Sequence, residues 1–212
     1  DGCAGLPRTG GDLRQPRHGC LPPPPVPRTL LSNRPSFRSM SNPTSALREA
    51  EEHQARWQQV VRDPSLQDLS YKVETNQRGQ ILLSPHGTRH AKLQKRLIAL
   101  LDDQLSGGEA YPEFPLATDA GVKVPDVVWV STDREARMMN TGDPSTLAPE
   151  ICVEVLSEGN TEAEMQEKRQ LYLEAGASEV WLVADDGSVR FFADERLDRS
   201  TIAPAFPKRV EV

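Results

Sequence analysis

Three residues have the types and settings that chemistry would need: Asp126, Glu154 and Lys168. Asp126 follows Pro125 inside the β-prone run 122–130, and Glu154 stands between Val153 and Val155. A charged side chain in an apolar strand is costly unless it is paired or bound to a metal. If the two runs are neighbouring strands, their carboxylates share one level of a sheet, within reach of one cation. Hard ions such as Mg2+ (or Mn2+) take carboxylate oxygens plus water. Such a site can activate a water and hold a phosphodiester oxygen. Lys168 comes seven residues after Thr161, about two helical turns on. Its amine could orient the nucleophile or steady charge on the phosphate. The plainer alternatives are outward-facing edge carboxylates and a solvated lysine, and periodicity alone does not choose between them.

His90 opens a helix. It could donate to substrate or move a proton, since its ordinary pKa lies near neutrality; the alternative is a helix-start histidine satisfied by the loop before it. Trp129 and Trp181 sit among aliphatic residues and read as core, as does Tyr172, one turn beyond Lys168. Cys152 shares a strand face with Glu154. It has no basic neighbour in sequence to lower its pKa, so it reads as a small buried filler.

The elements that must position these residues follow from periodicity. A helix with Leu47, Ala50, Trp57 and Val61 on one stripe is expected over 45–61, capped by Ser45 and stopped by Pro64. Its tryptophan reads as an anchor on the domain or on a partner chain. A hairpin follows at 71–75 and 80–83, then a helix over 88–104 with leucines at helical spacing. Strands are expected at 109–116, 122–130 and 150–156, with a polar loop over 131–149. Thr161 and Glu164 form a capping-box pattern for a helix to Ala175. A strand at 178–184, a turn and a return strand at 189–192 complete the set, and the rest reads as a weakly structured tail with a short strand at 208–212. Helices alternating with apolar strands imply an α/β fold, a mixed β-sheet flanked by helices.

The 212-residue chain is 37% hydrophobic and 26% charged, which suits a soluble domain with a real core. No apolar run approaches a membrane span. No basic start followed by an apolar stretch marks a secretory signal. Three cysteines give no disulfide framework and no zinc spacing, so a reducing, cytoplasmic setting is expected. Residues 1–39 hold 8 of the 18 prolines and 5 of the 14 glycines and read as a disordered extension. They are either a ligand for a proline-binding module or sequence upstream of a start at Met40. The organisation expected is therefore extension 1–39, N-terminal helix 40–64, core domain 65–195 and tail 196–212. From residue 40 onward 19 basic residues face 29 acidic ones, net -10, which argues against nonspecific DNA binding by bulk charge.

The segments Pro125-Asp126-Val127-Val128-Trp129-Val130, 148–157 around Glu154, and 168–183 from Lys168 to Val183 together resemble the Uma2 family of restriction-endonuclease-like proteins. Glu74, Gly79, Ser84-Pro85 and His90 are similar to its first half, and Glu113 resembles its acid before the central strand. The likeness covers roughly residues 71–192. It implies a restriction-endonuclease-like PD-(D/E)xK core with Asp126 as first acid and Glu154 as second. The lysine two residues after that glutamate is missing, since Leu156 stands there; Lys168 matches relatives whose lysine has moved to the next helix. Glu74 matches an auxiliary acid, which gives an implied metal set of Asp126, Glu154 and Glu74, with His90 and Lys168 beside it. The family's Pro-Ser-Asn or Pro-Ser-Thr is replaced by Glu158-Gly159-Asn160, loosening the turn and adding negative charge. The resulting expectation is a Mg2+-dependent endonuclease acting on DNA, as a homodimer suited to cutting two strands. The competing expectation is an inactive nuclease fold serving as a binding or assembly module.

Overall fold

The computed structural model describes residues 42–66 and 69–211. The expectations for residues 1–39, with Cys3, Cys20 and a start at Met40, lie outside the described residues. Helix α1 spans Pro43–Val60 and opens two residues before the expected Ser45 cap. Asn42 takes the cap instead, its side chain accepting from the Thr44 N–H at 3.3 Å. Pro43 suits the first turn, where its missing N–H would have no helical partner. Trp57 and Val60 bury against Ala117, Val122 and Val124, so this helix anchors on its own domain. Strands β1 (Tyr71–Thr75) and β2 (Ile81–Pro85) pair as the expected hairpin. Helix α2 (Thr88–Gln104) buries Leu93, Leu97 and Leu101 in one stripe.

Two expected strands are each divided. The first becomes β3 (Gly108–Pro112) and β4 (Leu116–Thr118). Pro112 and Pro115 offer no N–H to a ladder, and Glu113 between them turns the backbone left-handed at φ 46°. The second becomes β5 (Gly121–Lys123) and β6 (Val127–Ser131), broken around Pro125 for the same reason. Asp126 therefore precedes β6 rather than sitting mid-strand. The expected long loop begins with an eight-residue helix, α3 (Thr132–Met139). Ser131 caps it, and Asp133 and Glu135 favour its positive end. Strand β7 (Ile151–Val155), helix α4 (Glu162–Glu174), and strands β8 (Glu179–Val183) and β9 (Val189–Phe192) stand close to their expected places, and β10 adds Arg196–Leu197.

The six-stranded sheet runs β10-β9-β8-β7-β6-β3. Only β7 and β8 pair in parallel, joined through α4, so the sheet is mixed. Its two faces are covered by different helices. Ile151, Val153 and Val155 join Trp129, Trp181 and the α2 leucines. Cys152 joins Val128, Val180 and Tyr172 of α4. Because strand side chains alternate faces, Glu154 belongs with Cys152 on the α4 side. This is a mixed α/β fold, a central sheet flanked by helices. No helix among the described residues is long and apolar enough to cross a membrane.

The stretch after Glu195 is not the weakly structured tail expected. Ala203, Phe206 and Val210 are buried in the α2-side core, and Phe206 lies 4.6 Å from the Trp181 ring. In place of the expected strand at 208–212, a single bridge pairs Arg209 with Ser188. Glu179 explains the docking: its carboxylate accepts from the Thr201 N–H and hydroxyl, both at 2.6 Å, and from the Trp181 indole at 2.8 Å.

Two outcomes follow from these contacts. Gly121 has φ +108°, and a Cβ there would collide with the Thr75 carbonyl; Gly121→Ala should cost at least about 2 kcal/mol in urea unfolding, and a change within ~0.5 kcal/mol would contradict this. Burial pushes the Glu179 carboxyl up, but hydrogen bonds from Thr201, Trp181 and Ser200 bring it below its usual value. A depressed folded pKa stabilises above the unfolded value, about 4.3, and that contribution is lost as pH falls through the folded one. Glu179→Gln should therefore flatten the loss of stability on acidification, read from urea midpoints at a series of pH values.

Candidate active site

Five charged side chains meet where β1, β6, β7 and α4 converge. Glu74, Asp126 and Glu154 are 4%, 1% and 3% exposed, and Lys72 and Lys168 are 6% and 8%. Lys72 Nζ donates to Asp126 Oδ1 at 2.6 Å and reaches Glu154 Oε2 at 3.4 Å. Lys168 Nζ donates to Glu74 Oε1 at 2.9 Å and to Glu154 Oε1 at 3.2 Å. Tyr172 donates its hydroxyl to Glu154 Oε1 at 2.5 Å. Backbone N–H groups complete the set: Val155 donates to Asp126 Oδ2 at 2.7 Å, and Val124 to Glu74 Oε1 at 2.8 Å.

Local structure dictates this convergence. Asp126 N–H donates to Val153 O, and Val127 pairs with Val153. One further step of that antiparallel register sets Asp126 opposite Glu154. Lys168 and Tyr172 are four residues apart on α4 and so share a face. Lys72 and Glu74 are two apart on β1 and so share a side of the strand. The hairpin is held to β5 through Thr75, which accepts from the Val122 N–H at 2.8 Å and from Lys123 Nζ at 3.1 Å.

Three carboxylates against two ammonium groups leave one negative charge in excess. Burial pushes the Asp126 carboxyl up, but His90 and Lys72 more than reverse this and hold it below the usual range. Glu74 is also lowered, because Lys168 and Lys72 outweigh its burial. Glu154 goes the other way: burial raises it, and the two lysines recover only part. Burial alone would lower both lysines, yet Glu154, with Asp126 for Lys72 and Glu74 for Lys168, raises them. Burial and Glu154 keep the Tyr172 phenol well above its ordinary value, so it remains a donor.

The site has two approaches. A cavity of about 420 Å³ opens over Glu74 and Lys168, lined also by Arg78, Lys123, Glu164 and Glu167. On another side His90 Nε2 lies 3.4 Å from Asp126 Oδ1, and the His86 ring lies 4.7 Å from the His90 ring. Both Nε2 atoms are buried without a hydrogen bond. His86, His90 and Asp126 bring ligand atoms within 4.8 Å of one another, a group that could hold a divalent metal. The carboxylate set implied earlier is differently arranged. Lys72 bridges Asp126 and Glu154, and Lys168 bridges Glu154 and Glu74. Asp126, though paired with Lys72, is the acid that also has two histidines beside it.

Asp126, Glu154, Lys168, Glu74 and His90, singled out from sequence, all stand within this one region. Lys72, His86 and the Tyr172 contact were missed. Lys72 had a signal in its Lys-x-Glu spacing with Glu74 on a strand, and His86 in its four-residue spacing from His90. Cys152 is a buried filler as expected, its thiol pushed up by burial. Trp181 is core, and Trp129 too, with its indole N–H unpaired. Removing one partner from a buried charge network strands the others. Lys168→Met should thus lower stability by about 3–5 kcal/mol, read by urea denaturation, and a loss under ~1 kcal/mol would mean the network is solvated.

The sequence matches, over residues 52–206, the family described as "Uma2: Putative restriction endonuclease". No functionally curated protein matches it. Among solved structures, a protein of Anabaena variabilis, described as a "putative nuclease belonging to DUF820", aligns with a TM-score of 0.50 at 16% identity. The alignment covers 65% of this chain and 86% of that one, and at such identity it speaks to fold alone. With the matched region spanning most of the sequence and every described element of the sheet up to β10, the chain belongs to the Uma2 family.

Proposed function

We propose that this protein is a divalent-metal-dependent endonuclease that hydrolyses phosphodiester bonds in DNA. The observation that carries this reading is the buried cluster in which Asp126 stands opposite Glu154 with the Lys168 ammonium against Glu154. Membership of a nuclease-like family supports it. A bound divalent cation supplies polarisation of a phosphate oxygen and a more acidic water. Asp126 is the carboxylate that would hold it, because, although Lys72 bonds it too, His86 and His90 bring further ligand atoms to it. Lys168 faces the cavity beside Glu74, where its charge can meet an entering phosphate. Glu154 and Glu74 fix that ammonium in position, and Tyr172 fixes Glu154. His90 stands 3.4 Å from Asp126, where its imidazole would either help hold the cation or hold a proton of the attacking water. One site per chain acting on a duplex calls for two copies, so a homodimer is part of the reading.

A second reading, a nuclease fold kept as a binding module, is favoured by the saturation of the acids by lysines and by Glu158 in the β7–α4 turn. One experiment separates them. The full chain is incubated with duplex DNA and Mg2+ or Mn2+, beside Asp126→Asn and Lys168→Gln proteins whose folding is followed by circular dichroism. The enzymatic reading expects cleavage that falls at least about 100-fold in either variant. Equal cleavage by variants and parent rejects the assignment. No cleavage, with no cation-induced rise in Tm, selects the binding module.

A further inference from the structure

Given the metal dependence proposed above, two positions at this centre compete for the cation. Lys72 stands where a cation joining Asp126 and Glu154 would be expected. Its Nζ is 2.6 Å from one carboxylate and 3.4 Å from the other, and it is almost wholly enclosed. Both acids are thereby neutralised in part by a fixed charge of the chain itself. A divalent ion at the same point would have to expel a buried ammonium into a closed interior, which is unfavourable.

The histidine side of Asp126 has the opposite character. Two imidazoles approach the same carboxylate, each with a buried Nε2 that makes no hydrogen bond. Buried polar atoms in native proteins are nearly always hydrogen-bonded, and these two have only carboxylate oxygens at 3.4 Å (Asp126) and 3.5 Å (Glu113) with no hydrogen bond formed, an arrangement that a shared ligand would complete. Glu113 adds a further oxygen, 3.5 Å from His86 Nε2. It is the one non-glycine residue with positive φ among those described, at the turn between Pro112 and Pro115. Two nitrogens and one or two carboxylate oxygens suit borderline first-row ions. Mg2+ prefers an all-oxygen octahedron.

We propose that Lys72 replaces a metal between Asp126 and Glu154, and that the centre binds a single transition-type divalent ion through His86, His90 and Asp126, in preference to Mg2+. The ligand set crosses from the β2–α2 loop to the start of α2 and to the strand break at Pro125, so it forms only when those elements are packed.

The test uses the full chain without DNA, under reducing conditions. Calorimetric titration with Mn2+ and with Co2+ should give one site, and Co2+ should develop visible absorption bands of nitrogen ligation. Mg2+ should bind at least tenfold more weakly. His86→Ala and His90→Gln should each weaken Mn2+ binding at least tenfold. Lys72→Gln should gain a Mg2+-dependent rise in Tm that the parent lacks, a readout that holds even if the variant is less stable. Mn2+ affinity within twofold of the parent in both histidine variants, Mg2+ binding as tight as Mn2+, or no Mg2+ response in Lys72→Gln overturns the proposal. Binding as described without DNA cleavage would leave this assignment standing and sink the nuclease reading; cleavage without histidine-dependent binding would do the reverse.

Discussion

Three carboxylates buried in one place cannot coexist unless positive charge is buried with them. That constraint organises this part of the molecule. Ionised groups pay several kcal/mol each in desolvation even in relaxed protein interiors, and Glu74, Asp126 and Glu154 come from three separate segments. Lys72 and Lys168 answer them from two further positions, one on the N-terminal hairpin and one on α4. The network therefore fastens the hairpin to Asp126 and Glu154, and the helix to Glu154 and to the hairpin itself. It is a specification of geometry more than a source of stability, since an apolar substitute of similar volume would often be as stable.

The same constraint shapes the chemistry available. Lys168, carried on α4, approaches the acids from the helix layer and lines the cavity beside Glu74. Leu156, two residues after Glu154, packs against Met165, Leu182 and Phe192. Tyr172 gives the arrangement a rigid backing: it is fully buried, it bonds Glu154, and it lies one turn from Lys168. Lysine and tyrosine together leave Glu154 little freedom to reorient. Asp126 is different, because a pair of under-bonded imidazoles stands beside it. The centre is thus polarised, closed toward Glu154 and receptive toward the histidines.

Breaks in regular structure produce this polarity. Pro125 ends β5 and delivers Asp126 ahead of β6, where its carboxylate can take the Val155 N–H. Pro112, Glu113 and Pro115 end β3 and return the chain alongside, with Glu113 and Phe114 N–H groups donating to Asp126 and Pro125 carbonyls. Functional side chains often sit at such interruptions because the ladder there no longer claims the backbone or dictates the side-chain direction.

The sequence by itself determined the alternation of helices and apolar strands, the leucine stripe of α2, the Thr161 cap of α4 and the anomaly of acids among valines at Asp126 and Glu154. These are local properties, set by periodicities of two and 3.6 and by capping chemistry within a few residues. It also carried the relation of Lys168 to the acids, through resemblance rather than spacing. Only the tertiary structure decided that Lys72 and His86 belong to the site, that Asn42 rather than Ser45 starts α1, and that the segment after Glu195 packs into the core through Phe206 and Val210. The strand breaks at Pro112 and Pro125 had local signals, but the β-propensity of their neighbours masked them. Lys72 could not be read as buried because a lysine on a strand is ordinarily solvated; its partners lie 54 and 82 residues away, and the charge balance that encloses it exists only once those segments are brought together.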